Sequence, residues 1–472
     1  MLKVRFRREM RREAPGPLAI PVVRGAIPLS WAEAAAAARF TGMPGRVLDL
    51  PGPAGRVLLV GAGTPASALD WEQAGAAAAG GTGRAARLTL DARGLAPEAA
   101  VALAAGACLG AWRPGRHQSV RGIRLAALDL LVDSPEAAAG PWERAAAAVR
   151  GCLLARELTA EPANHLTPKA FAARLERLAE HGIAVDVLGR KRLTRAGFGA
   201  LLAVGRGSAH APRLAVLRWR GSFAAPPVAF LGKGICFDTG GLSLKPAAGM
   251  EAMRHDMAGA AACAGAMLAL ALRRSPAPAL AVLPLAENAI GAEAYRPGDV
   301  LRTLSGRTVE VMDTDAEGRL VLADALHWAR TRFAPRAMLD LATLTGSVVT
   351  ALGRHRAGLF GTDAALLAQV AAVGEAVGEP VWPLPIGRRH REDLDSDIAD
   401  LKQCATGRWL PDACHAAAFL REFAGETPWA HLDIAGVATR EEGEQGPDQP
   451  TGFGARLLDA LVERHFEDPD RH

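Results

Sequence analysis

The chain has 472 residues, enough for two or three domains at roughly 150 residues each. Half of them are hydrophobic, 22% are charged, and Gly and Pro number 51 and 31, which excludes disordered, collagen-like and low-complexity classes. The net charge of +5 is a small excess, and 9 Trp, 13 Phe and 1 Tyr are poor material for stacking bases, so composition does not favour a nucleic-acid partner.

In chain order, a basic run, Lys3–Arg12, is interrupted by apolar residues, as is a second one, Arg213–Arg220. The stretch Ala14–Pro28 carries four prolines and never becomes the apolar core of a secretory signal. Arg56–Val60 and Ala86–Leu90 read as strands with a helix, Ala68–Ala79, between them, which is the rhythm of an α/β layer. Residues 1–140 therefore read as a small N-terminal α/β domain. Trp142–Leu158 has helical spacing and makes 141–160 a linking helix. Residues 161–472 read as a larger domain, a mixed sheet flanked by helices. Its strand candidates are Ile183–Leu188, Leu214–Trp219, Pro227–Leu231, Ala279–Leu285, Val309–Met312 and Ala337–Leu341, and its helix candidates are Phe171–His181, Ala258–Arg273 and Leu320–Arg332. The uncharged run Met257–Leu272 is shorter than the roughly 20 residues that span a bilayer, so no membrane partner is expected. Six cysteines without a C-x-x-C pair suit a reducing compartment, and a cytoplasmic location is expected.

Several familiar motifs fail on inspection. Gly61-x-Gly63-x-x-Ala66 has the context of a dinucleotide turn, but Pro65 interrupts it and the nearest ribose acid, Asp91, lies too far on. Gly232-Lys233-Gly234 lacks the leading Gly and the trailing Ser or Thr of a phosphate loop. Neither H-E-x-x-H nor G-x-S-x-G occurs.

Asp313, Asp315 and Glu317 stand at a spacing of two, so in an extended segment they would face the same side and repel one another unless a cation lay among them. A divalent metal site and a solvated acidic turn at a helix start both fit that pattern. A second charged segment, Lys233 to Lys245 with Asp238 inside it, follows a strand and, with Gly232 just before it, carries four glycines (Gly232, Gly234, Gly240 and Gly241). Ligands bind at that edge of open α/β sheets. Asp256 comes shortly after, just before an Ala-rich helix.

These segments, VAFLGKGICFDTGGLSLKP, MRHDMAGAA and DTDAEGRLVLADAL, in this order, resemble the leucyl aminopeptidase family of dinuclear metallopeptidases. The likeness extends to EPANHLTP, AVGRGS, AENAIGAEAYRPGD, LATLTGS and WAHLDIAGVA, and so over essentially all of the larger domain. The resemblance implies two divalent ions, Mn or Zn. One would be held by Asp238, Asp315 and Glu317, the other by Lys233, Asp238, Asp256 and Glu317. It implies that Lys233 binds as a neutral amine, its pKa driven far down. It further implies that Lys245 stabilises the oxyanion, that Arg319 holds a bicarbonate, and that Met253, Thr343, Leu344 and Gly346, with Lys245 and Asp256, contact the substrate. The activity implied is release of leucine and other bulky apolar residues from peptide N-termini by metal-activated water, in a homohexamer. A non-catalytic or DNA-binding regulator on the same scaffold is the alternative that the basic N-terminus suggests.

Three departures from the family pattern stand out: Asp313 where Asn is usual, Ala258 where Gly is usual, and the segment Lys402–Cys414 in place of a Gly- and His-rich one.

Overall fold

The computed structural model describes residues 1–10, 16–53, 55–114, 117–119, 123–407, 410, 412–440 and 449–468. Arg11 and Arg12 of the first basic run, Ala14 and Pro15 of the proline-rich stretch, and Arg408, Trp409 and Pro411 of the departing segment lie outside the described residues. Two compact units appear, Met1–Leu153 and Leu154–His472, and the division falls inside the helix Pro135–Thr159, not at either end of it.

In the first unit the described strands are β1 (Lys3–Arg7), β2 (Leu18–Val23), β3 (Val47–Gly52), β4 (Gly55–Gly63), β5 (Arg87–Asp91) and β6 (Ala127–Leu131). They form one sheet in the order β1-β6-β5-β2-β4-β3, parallel except where β3 runs against β4. The turn after Gly63 is a strand-to-helix connection. Asp70 accepts hydrogen bonds from Ala66 N and Ser67 N, both 2.9 Å, so the donors that a phosphate would need are already taken.

The second unit contains β7 (Ala184–Leu188), β8 (Arg213–Trp219), β9 (Val228–Gly232), β10 (Gly234–Asp238), β11 (Ala279–Asn288), β12 (Val300–Arg302), β13 (Thr308–Glu310), β14 (Ala337–Ala342), β15 (Ala357–Gly361), β16 (Val381–Pro383), β17 (Leu401–Lys402) and β18 (Trp429–Asp433). Its main sheet runs β16-β15-β18-β14-β9-β11-β8-β7, with β10 added beside β11. It is mixed, as expected: β18, β14, β9 and β11 are parallel, β8 runs antiparallel to both β11 and β7, and β15 runs antiparallel to β18 but parallel to β16. Central strands β9 and β14 are buried along their whole length, as strands covered by helices on both faces must be. The Ala-rich helix Ala258–Leu272 is a core element that lies close against the sheet. At Gly259 an added Cβ would stand 2.0 Å from the carbonyl oxygen of Leu341, so helix and sheet approach more closely there than any side chain allows.

The structure refines several expected elements. The strand expected over Val309–Met312 ends at Glu310, and residues beyond it turn toward the acidic loop. The segment after β9, expected to be a loop, contains β10. Gly232 and Gly234 bracket Lys233, beyond which the chain no longer pairs with β14 but continues along β11 as β10.

Candidate metal centre

Four local structures converge at the carboxyl ends of β9, β14 and β11. Lys233 leaves β9 with its N–H donated to Leu341 O at 3.0 Å, while its carbonyl accepts from Ala260 N at 2.9 Å. Asp238 ends β10. Asp256 closes the 3-10 turn Met250–His255, and Glu317 opens the helix Glu317–Phe333. No single stretch of chain brings these groups together; the parallel strands do.

Asp238, Asp315 and Glu317 each offer an oxygen within 4.8 Å of the others. Lys233 Nζ lies 2.8 Å from both Asp256 Oδ1 and Glu317 Oε1, and donates to Thr343 O at 2.8 Å. Lys245 Nζ lies 2.9 Å from Asp238 Oδ2 and also pairs with Asp315. The five expected ligands and Lys245 thus form one contiguous cluster, in which four carboxylates face two ammonium groups. The negative excess shows in the titration. Burial and the neighbouring carboxylates push Asp256 and Glu317 above the usual carboxylate range, and burial with the Asp238 charge raises Asp315 to about 7. Asp256 Oδ2 and Glu317 Oε2 are buried without a hydrogen-bond partner among the described residues. Buried carboxylate oxygens aimed into a cluster short of positive charge are the donor set of a hard divalent cation, so the residues fit the metal that the family implies.

One expectation is reversed while the acids alone surround Lys233. Burial would lower its pKa, but Asp256, Glu317 and Asp238 outweigh burial and hold it above its ordinary value. The neutral amine implied by the resemblance therefore depends on cations taking over the charge of those carboxylates. Asp313 is corrected as well. The acidic segment is a turn, not an extended strand, so Asp313 does not face Asp315 and Glu317 across one side. Its Oδ1 instead accepts the Asp315 N–H at 2.9 Å.

That turn is clamped from three directions. Gln403, fully buried, accepts from Met312 N and Asp313 N at 3.1 and 3.2 Å and donates to Ala316 O at 2.8 Å. Asn288 donates to Asp238 Oδ1 at 2.8 Å and to Thr314 O at 2.9 Å, and the only tyrosine, Tyr295, donates to the same carbonyl at 2.7 Å. The third clamp is the glycine turn. Gly241 has φ +66, and a Cβ there would stand 2.9 Å from both Asn288 Oδ1 and Thr314 Oγ1, so glycine is required for the two loops to meet.

Residues 153–459 match the cytosol aminopeptidase family, catalytic domain. The chain belongs to this family. A probable cytosol aminopeptidase of Methylorubrum populi is 43% identical over 449 residues, 92% of this chain and 90% of that protein. One of Brucella anthropi is 44% identical over 427 residues, 87% and 85% of the two chains. Among solved structures, the bottromycin maturation enzyme BotP in complex with Mn superposes with a TM-score of 0.86 at 38% identity, covering 95% of this chain and 99% of that one. A tomato leucine aminopeptidase mutant gives 0.87 at 30% identity, covering 98% and 97%. The protein is thus an aminopeptidase, a hydrolase of the metal-dependent kind, with a mixed α/β fold like that of the leucine aminopeptidase it matches.

The other expected residues are placed as follows. Thr343 joins the cluster, its Oγ1 donating to Asp256 Oδ1 at 2.7 Å. Leu344 is half-buried and its N–H is held by Asp433 at 3.1 Å; Asp433 also accepts from Thr345 Oγ1 at 2.7 Å. Gly346 is exposed at the start of the helix Gly346–Leu352, and Met253 is half-buried in the turn before Asp256. Arg319 is buried and points to Gln403 O and Asp412. Sequence reasoning assigned no role to Asn288, Tyr295, Gln403, Asp412 or Asp433. The first two lie in AENAIGAEAYRPGD and Asp433 in WAHLDIAGVA, so their signal was membership of a matching motif. Gln403 and Asp412 lie in the departing segment, whose difference from the family was the only clue.

Proposed function

We propose that this aminopeptidase works with two divalent ions, Mn or Zn, held by Lys233, Asp238, Asp256, Asp315 and Glu317, and removes leucine and other bulky apolar residues from peptide N-termini. The observation that carries this reading is the contiguous cluster of those five groups, with orphaned oxygens on Asp256 and Glu317. Ions bound there would polarise the scissile carbonyl and supply hydroxide at neutral pH. Asp238 and Glu317 lie at the centre of the cluster and would be shared between the two sites.

The chain's own residues supply the rest. With cations on Asp238 and Asp315, the Lys245 ammonium would be free of its present ion pairs with them and could donate to the oxygen that gains charge. Thr343, already bonded to Asp256 and Lys233, and Leu344, fixed by Asp433, would receive the free amine of the substrate, which accounts for attack at chain ends only. Met253 and Gly346 would line the pocket for the first side chain. Bicarbonate has no part in this reading, because Arg319 already has a carboxylate partner. Assembly as a homohexamer, a cytoplasmic location and assignment of all the chemistry to residues 161–472 complete the proposal.

The experiment is hydrolysis of leucyl amide and of a panel of aminoacyl amides by metal-stripped protein given Mn or Zn. Release should require the metal, stop on chelation and be abolished in Asp315→Ala and Glu317→Ala. Undiminished activity in either variant would overturn the reading.

A further inference from the structure

We propose that Asp412 is the resident anion of Arg319, supplied by the chain in the place where the family resemblance leads one to expect bicarbonate. This rests on the aminopeptidase reading above and concerns how that site is kept in order.

Arg319 is 2% exposed, so its guanidinium needs an anion and hydrogen-bond acceptors close by. It has both. Nη1 donates to Gln403 O at 3.2 Å and Nη2 to Asp412 Oδ1 at 3.0 Å, which leaves Nε alone without a partner among the described residues. A free anion would have to displace Asp412 or share one cation with it, and two anions on one guanidinium repel each other.

Asp412 is held in place independently of Arg319. It is the first residue of the helix Asp412–Ala424, where the helix dipole favours a carboxylate. The next residue, Ala413, donates its N–H to Ser347 Oγ at 2.8 Å, and Phe419, Leu420 and Phe423 bury the helix. The Asp412 side chain itself is 43% exposed, so the pair reaches from solvent to the buried guanidinium. Arg319 lies two residues beyond Glu317, and Gln403, which accepts from Arg319 through its carbonyl, grips the turn from Met312 to Ala316 through its side chain. The chain Asp412–Arg319–Gln403 therefore latches the ligand-bearing turn from a segment that departs from the family pattern. Asp412 acts through Arg319 and is a positioning residue.

The test uses full-length protein in bicarbonate-free buffer at fixed pH and ionic strength, with Mn present. The wild-type rate on leucyl amide should change by less than about two-fold when millimolar bicarbonate is added, while Asp412→Ala should fall about 10- to 100-fold and recover with bicarbonate or formate. Asp412→Asn keeps the size of the side chain and should behave in the same way, which covers failure of the alanine variant to fold. A second readout needs no turnover. Bicarbonate should raise the melting temperature of both metal-free variants and leave that of the metal-free wild type unchanged. Strong stimulation of the wild type by bicarbonate would overturn the proposal, as would variants that are fully active without it or that neither recover nor shift in melting. A wild type inactive with every metal would overturn the aminopeptidase reading instead, and the melting experiment would still decide the place of Asp412.

Discussion

Gly318→Ala offers a sharp perturbation of the centre because it moves one residue of the proposed metal site, Lys233, without touching its chemistry. Gly318 is the second residue of the helix Glu317–Phe333 and has no positive φ, so alanine suits its backbone and should favour the helix by about 1 kcal/mol. The added Cβ, however, would stand 2.7 Å from Lys233 Cε, 2.8 Å from Cδ and 2.9 Å from Nζ. Carbon atoms pack at about 3.5 Å, so the end of the lysine must retreat by roughly 0.8 Å. Lys233 Nζ now holds Asp256, Glu317 and the Thr343 carbonyl, all at 2.8 Å, and a retreat of that size stretches at least one of them beyond hydrogen-bonding range. Because the displaced atoms end a flexible chain, the fold should survive with a melting temperature at or slightly above wild type. The kcat/KM on leucyl amide with saturating Mn should fall about 10- to 100-fold, or roughly 1.4–2.7 kcal/mol of transition-state stabilisation. The Mn concentration for half-maximal activity should rise together with that loss. A natively folded variant whose kcat/KM stays within two-fold of wild type would refute the placement of Lys233 at the working centre.

Two other substitutions test separate parts of the structure. Asp313→Asn can still accept the Asp315 N–H through its side-chain oxygen, so it should stay within about two-fold of wild-type kcat/KM, whereas Asp313→Ala should lose about five-fold, the worth of one hydrogen bond; Mn and Zn titrations of the three proteins would measure it. Glu379 caps the helix Ala455–His465 through Gly454 N and Leu457 N, and burial pushes its pKa up to about 7 from an unfolded value near 4.5. A raised folded pKa means the protonated form is favoured by folding. Its stabilisation is fully present below about pH 4.5 and is lost as pH rises through 7, by at most about 3 kcal/mol. Urea melts should show Glu379→Gln gaining on the wild type by up to that amount between pH 4.5 and 8, and parallel pH dependences would refute the assignment.

Lys233, Asp238, Asp256, Asp315 and Glu317 were legible in the sequence because charged residues in apolar, Gly-rich surroundings have few structural uses, and because their motifs keep a recognisable order. The mixed sheet was legible as well, from apolar runs alternating with helical stretches. Asp313 shows where such reading stops. Spacing alone put it in line with Asp315 and Glu317, but a turn converted it into a backbone acceptor. Gln403 and Asp412 were illegible for a different reason. An amide or a carboxylate on an unfamiliar segment has no meaning until its partner is known, and these partners, Asp313 and Arg319, lie 90 and 93 residues away. Sequence by itself, through the order of its motifs, marked out the charged groups that the structure brings into one cluster. Only tertiary structure decided how those groups pair, because hydrogen bonding and burial depend on which strands and helices end at the same place, and nothing in local spacing records that.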